Sequence, residues 1–419
     1  MGEPRRRCAE CGESYAEGVI FCPRDGSALS PRAADSGPDP YLGRTIAGAF
    51  RLDALIGTGA VGRVYRAHQL GVERTVALKI MHRDLATNET LCSRFRREAR
   101  VAGSLSHPNL VNVILLGECA SDGVKVPFIA FEYLDGLSFR SAILARGALG
   151  QVRALHIMLQ VADAVGVAHE HGIVHRDLKP ENLMLVQRGD DPDFVKVLDF
   201  GVARVDHGDP SIATHAGAIF GSARYISPES AAGGEATQAS DVYALATILY
   251  ECLAGVPPFD GENPVQILLK QQREAPPPLS SRSAASDVVP ELARLVERNL
   301  AKDPAARSAN ARVFARELAR VAQTSGIARE LGATHESALS SETRRGHAFS
   351  PRTEASPREL HLAAPRSAGS SAHATAPGAT RPALFVLLCF VLGAGVALGV
   401  AAKLGAFAGN APSAAKGSP

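Results

Sequence analysis

The chain has 419 residues, enough for roughly two to three domains, and 46% of them are hydrophobic, so a sizeable core is within reach. A formal net charge of +2 at pH 7 gives no electrostatic case for a nucleic-acid partner. Seven cysteines, three near the N-terminus and four scattered, fit a reducing compartment better than a secreted disulfide scaffold. Frequent Ala, Gly, Arg and Pro suit a GC-rich bacterial genome.

Met1 to Arg7 carries charge with no apolar run behind it, so no secretory leader is predicted there. Residues 1–30 hold Cys8-x2-Cys11 and Cys22-Pro23-Arg24-Asp25-Gly26. A C-x2-C turn points two thiolates at one metal. Asp25 stands where a fourth cysteine would complete a zinc ribbon, and a carboxylate can also ligate zinc. Cys8, Cys11, Cys22 and Asp25 are therefore a candidate Zn2+ set, with a metal-free degenerate segment as the alternative. So short a piece has little core of its own without a metal. Residues 31–43, with Pro31, Pro38 and Pro40 among small residues, read as a linker.

From 44 to 322 the chain alternates apolar runs, turn signals and helical periods, the pattern of one mixed globular unit. Ile56-Gly57-Thr58-Gly59-Ala60-Val61-Gly62-Arg63-Val64 contains GxGxxGxV. Glycines let the backbone approach phosphate oxygens without a Cβ collision. A dinucleotide fold would need a helix directly after the third glycine. Here Val64 to Ala67 reads as a strand, Gly71 to Glu73 as a turn, and Thr75 to Ile80 as the next strand. The glycines thus sit in a hairpin, with Ala77 and Lys79 on the neighbouring strand. A lysine in an apolar strand is costly unless it meets an anion. Asn88 to Gly103 is helical, with Phe95, Ala99 and Ala102 on one stripe. Glu98 on this helix either holds Lys79 or merely pairs with Arg94 at i,i+4, and its spacing from Lys79 prefers the first.

Residues 323–382 are rich in Ser, Ala, Thr, Arg and Pro and are expected to be disordered. Ala383 to Ala402 is twenty residues without a charge, between Arg381 and Lys403. As a helix it would be roughly 30 Å long, the thickness of a bilayer core. Arg344, Arg345, Arg352, Arg358, Arg366 and Arg381 precede it, whereas only Lys403 and Lys416 follow. The positive-inside rule then predicts a single-pass protein of the cell (inner) membrane. Its N-terminal part would be cytoplasmic and its short tail, 403–419, outside. Gly395-Val396-Ala397-Leu398-Gly399 has the spacing that lets two helices approach. A homodimer through the span stays open beside the plainer reading that glycine is common throughout the chain.

One further run is decisive: His175-Arg176-Asp177-Leu178-Lys179-Pro180-Glu181-Asn182, followed by Asp199-Phe200-Gly201 and Ser227-Pro228-Glu229. With the glycine loop and Val76-Ala77-Leu78-Lys79, these resemble the protein-kinase signature set in order and spacing. The details are most similar to bacterial serine/threonine kinases of the eukaryotic-like (Hanks) type, over about residues 44–320. The resemblance implies an α+β, two-lobed kinase fold: a small antiparallel lobe with one helix, and a larger, mainly helical lobe. It implies ATP, with Mg2+ (or Mn2+), and protein substrates presenting Ser or Thr. Ile56, Gly57, Thr58, Gly59, Gly62, Val64 and Ala77 would enclose the nucleotide. Phe131 would be the gatekeeper, with Glu132, Tyr133 and Leu134 as the hinge. Lys79 would pair the phosphates and Glu98 hold Lys79. Asp177 would be the base, Lys179 would reach the γ-phosphate, and Asn182 and Asp199 would hold the metal. Asp241 would anchor the catalytic loop, and Arg307 would pair with Glu229. Arg176 implies control by a phosphate on the activation segment, with Ser211, Thr214 and Ser222 as acceptors. A pseudokinase scaffold and a membrane adaptor acting through the zinc head are the rival readings. Intact Lys79, Asp177, Asn182 and Asp199 argue against the first.

Overall fold

The structure, a computed structural model, describes residues 39–329 apart from Ala60, Asp122, 200–222 and Glu262, together with the backbone of two short strands nearer the N-terminus. Those strands, β1 (Arg5–Arg7) and β2 (Ser14–Ala16), pair antiparallel. Cys8, Cys11, Cys22, Asp25, Phe200, Gly201, Ser211, Thr214 and Ser222 lie outside the described residues, as do 330–382, the 383–402 segment and the tail. Among the described residues, no helix is long and apolar enough to cross a membrane.

The small lobe is a six-stranded antiparallel sheet in the order β3-β4-β5-β6-β8-β7. Its strands are β3 (Thr45–Ile46), β4 (Phe50–Thr58), β5 (Gly62–Gln69), β6 (Arg74–Met81), β7 (Val113–Ser121) and β8 (Val124–Glu132). Period-2 alternation sets the faces. Val76, Leu78 and Ile80 are buried in the lobe's core, so Ala77 and Lys79 point the other way. Helix α1 (Glu89–Ser104) starts at Asn88, whose side chain accepts from the Leu91 N–H at 3.2 Å. Cys92, Phe95, Ala99 and Ala102 form its buried stripe.

The segment read as the end of a linker is docked from Asp39 onward. The Asp39 carboxylate accepts from Arg63 (2.9 Å), from the Tyr65 hydroxyl (3.0 Å) and from the Tyr41 N–H (2.9 Å). Tyr41 is buried, edge-on to Tyr65 at 6.2 Å.

The larger lobe begins with β9 (Gly136–Ser138) and α2 (Phe139–Arg146). Next come α3 (Gln151–Glu170), β10 (Leu183–Arg188) and β11 (Asp191–Val197). The remainder is helical: α4 (Pro228–Ala231), α5 (Gln238–Ala254), α6 (Pro264–Arg273), α7 (Pro290–Asn299) and α8 (Ala311–Thr324). Helix α5 is buried all round from Ser240 to Ala254, mostly through apolar residues, with Asp241 and Glu251 as its buried carboxylates. It is the axis of this lobe, packed among α3, α7 and α8. The loop from α3 to β10 carries the catalytic run. It lies against the end of β11, because the Leu198 N–H donates to the Asn182 carbonyl at 2.8 Å. The α+β, two-lobed architecture expected from the sequence is therefore present.

Candidate active site

Lys79 stands on the open face of β6, and its side chain is only 13% exposed. Its Nζ donates to Glu98 Oε1 and to Asp199 Oδ2, each at 2.9 Å. Of the two readings of Glu98, the structure takes the one in which it holds Lys79. Burial alone would lower the lysine pKa, but the Asp199 and Glu98 carboxylates outweigh it and hold the ammonium above its ordinary value. Burial pushes the Glu98 carboxyl upward against the pull of Lys79. A fixed cation thus stands where β6, α1 and the end of β11 converge. Asp199 itself has φ 30°, the left-handed backbone that functional residues hold at some strain.

The glycine hairpin joins β4 to β5. The Gly59 N–H donates to the Gly62 carbonyl at 2.8 Å. A Cβ on Gly62 would lie 2.2 Å from the Ile80 carbonyl oxygen, so no larger residue fits there without moving β6. Val64 pairs with Lys79 across the ladder, and Ala77 and Val64 flank the same open face. At the hinge, Phe131 is 8% exposed. The Glu132 side chain is bound to Lys196 (2.7 Å) and to the Asn112 N–H (2.8 Å), and its own backbone N–H reaches the Asn112 carbonyl.

In the catalytic loop, Lys179 Nζ lies 3.0 Å from Asp177 Oδ2. The Asn182 amide nitrogen donates to the Asp177 carbonyl (2.7 Å) and to its Oδ2 (3.2 Å). That orientation follows from the hydrogen bonds, and among the described residues it leaves the Asn182 side-chain oxygen available. Asp199 keeps a second carboxylate oxygen beside the one on Lys79, and its side chain is 44% exposed. Two oxygen donors of this kind suit Mg2+ or Mn2+.

The loop is held from below. Asp241, buried on α5, accepts from the His175 N–H (2.7 Å) and the Arg176 N–H (3.0 Å). His169 Nδ1 accepts from the Ala311 N–H, so its Nε2 carries the proton and donates to Asp241 at 2.9 Å. His175 bridges from the loop to the Leu198 carbonyl at 3.1 Å, and burial lowers its pKa, keeping the ring neutral. Arg176 has φ 69°, a strained position pinned by Asp241. Farther out, Arg307 spends its N–H donors on Glu229 (2.8 and 2.9 Å) and on the Ala301, Ala239 and Lys302 carbonyls. Burial would raise the Glu229 pKa, but bonds from Arg307 and Ser240 bring it down to about 2.

A paired lysine, an aspartate beside an asparagine and a glycine hairpin thus meet between two lobes, and this arrangement can be compared with known proteins. A profile described as the protein kinase domain matches residues 50–318. The chain belongs to the protein kinase family. The kinase domain is similar to the serine/threonine-protein kinase pkn3 of Myxococcus xanthus, 41% identical over 67% of this chain and 51% of that one. The serine/threonine-protein kinase PknB of Mycolicibacterium smegmatis is 39% identical over 65% of this chain and 43% of its own. Among solved structures, the PknI kinase domain of Mycobacterium tuberculosis aligns with a TM-score of 0.51 at 31% identity. That match covers 66% of this chain and 98% of the other. The domain is thus of the bacterial serine/threonine, PknB-like type. The chain spans about half the length of the curated relatives it matches.

The structure also brings in residues that motif reading does not reach. Arg140 on α2 is buried and donates to Glu181 (2.8 Å), to Glu251 on α5 (2.7 Å) and to the Tyr225 hydroxyl. It ties the catalytic loop to the segment just before Ser227-Pro228-Glu229. Nothing in the run Phe139-Arg140-Ser141 marks that arginine as interior. His82, just past β6, touches the glycine hairpin, and Asp39 anchors Arg63. Both need the fold to be seen, because their partners lie 23 and 24 residues away in sequence.

Proposed function

We propose that this protein is a serine/threonine protein kinase that transfers the ATP γ-phosphate to Ser or Thr hydroxyls of proteins. The single observation that carries this is Lys79 held between Glu98 and Asp199, beside the Asp177–Lys179–Asn182 cluster. Phosphoryl transfer needs positioning and charge neutralisation more than covalent help. Lys79 positions the α- and β-phosphates. Asp177 orients the acceptor hydroxyl and takes its proton as the new oxygen–Pγ bond forms and the bond to the leaving ADP breaks. Lys179 neutralises the transferring group. Mg2+ or Mn2+, held by Asn182 and Asp199, would offset charge on the phosphates. Incubating the chain with radiolabelled ATP and a Ser/Thr protein mixture tests the reading. Label retained in an Asp177→Asn variant would count against it, as would label found on tyrosine alone.

Regulation and location belong to the same proposal. Arg176 precedes the base, and a phosphate of about −1.5 to −2 charges suits a guanidinium partner. Autophosphorylation within 205–222, at Ser211, Thr214 or Ser222, would therefore raise activity. A phosphopeptide map of active protein with nothing there would oppose this. The uncharged segment 383–402 would anchor the kinase to the inner membrane, facing the cytoplasm, and its Gly395/Gly399 spacing would favour a homodimer. Deleting it should move the protein to the soluble fraction. Strands β1 and β2 bracket Cys8 and Cys11 in sequence, which suits a zinc knuckle completed by Cys22 and Asp25. Metal analysis should find one zinc in the wild type and none after Cys8→Ser with Cys11→Ser.

A further inference from the structure

The end of the glycine hairpin is held by one side chain that no signature motif contains. His82 follows β6, three residues beyond Lys79. Its backbone N–H donates to the Val61 carbonyl at 2.9 Å, and its ring Nε2 lies 2.8 Å from the Gly59 carbonyl oxygen. A carbonyl can only accept, so Nε2 carries a proton and donates. His82 therefore grips the hairpin at two points, the Gly59 and Val61 carbonyls. The Gly62 contact with β6 adds a third point, the close approach that excludes a Cβ.

The consequence is electrostatic. A carbonyl oxygen turned toward a phosphate repels it, while the amide N–H groups of the same loop attract it. The Gly59 carbonyl oxygen, bound to the His82 ring, is withheld from that repulsive orientation. With that oxygen committed to His82, the loop is prepared for anionic oxygens before nucleotide arrives. We propose that His82 is a positioning residue for the nucleotide's phosphates, acting through the Gly59 carbonyl and not on the base or ribose. The inference rests on the kinase reading and deepens it.

The ring bond is exposed, so it should carry no more than the ordinary net value of one hydrogen bond. Calorimetric titration of the full chain with ATP–Mg2+ and with adenosine separates the two halves of the nucleotide. His82→Leu should weaken ATP binding about 3- to 10-fold and leave adenosine affinity unchanged. His82→Gln places an amide N–H near the position of Nε2 and should restore ATP affinity to within a factor of about 2. Three results would overturn the proposal: the His82→Leu variant binding ATP like wild type, ATP and adenosine weakened in parallel, or His82→Gln failing as His82→Leu does. Absence of phosphoryl transfer in the wild type would count against the kinase reading instead, because the ratio of affinities is read from binding alone.

Discussion

At the scale of single residues, the site depends on carboxylates held in place by committed partners. Asn182 and Lys179 hold Asp177, which suits the acceptor-orienting role proposed for it. General-base contributions are typically about 10²- to 10⁴-fold, so Asp177→Asn should cut turnover by that order while ATP affinity, measured by titration, stays near wild type. Glu229 shows the structural counterpart. Its pKa is about 2 in the folded chain, against an ordinary value of 4.5. A depressed carboxylate stabilises the fold above the unfolded pKa, and that stability is lost as pH falls from about 4.5 toward about 2. Glu229→Gln should cost about 2–4 kcal/mol at neutral pH. It should also flatten the acid limb of stability against pH, as read by denaturant titration across that window.

At the scale of elements, the glycine hairpin and β6 behave as one unit. Gly62 is required by close approach to Ile80, so Gly62→Ala forces β5 and β6 apart. Overpacking of this kind costs about 1–3 kcal/mol, and ATP affinity should fall with stability. By contrast, Gly71, which has open space around it but φ +79°, should affect stability alone when changed to Ala. Much of this was legible in the sequence. The period-2 run from Thr75 to Ile80 put Lys79 on the face opposite Val76 and Leu78, and the spacing to Glu98 suited a partner on the next helix. That spacing favoured Lys79 over a plain i,i+4 pairing with Arg94, and the structure has the Lys79–Glu98 bond at 2.9 Å. Arg140, by contrast, was hidden: a charged residue on a helix is ordinarily solvated, and only the meeting of α2, α5 and the catalytic loop makes its site interior.

At the scale of the whole molecule, the domain begins earlier than composition suggests. Pro38 and Pro40 flank Asp39, and the run reads as a linker, yet Asp39 and Tyr41 close over β5 through Arg63 and Tyr65. Local turn signals carry no information about such a docking partner. A fragment of 39–329 should therefore unfold at a temperature higher by several degrees than one of 45–329, since about 1 kcal/mol corresponds to roughly 2–4 °C in a domain of this size. Equal midpoints would show that the latch contributes nothing. In the function we propose, the two lobes, the α5 axis and the loops between them bring Lys79 and Asp177 to the same nucleotide. The most direct test is phosphoryl transfer from γ-labelled ATP by the full chain, followed by phosphoamino-acid analysis, for wild type, Lys79→Met and Asp177→Asn. Label should appear on serine and threonine in the wild type and be lost in both variants. Equal labelling in all three, or none in the wild type with Mg2+ present, would contradict the kinase assignment.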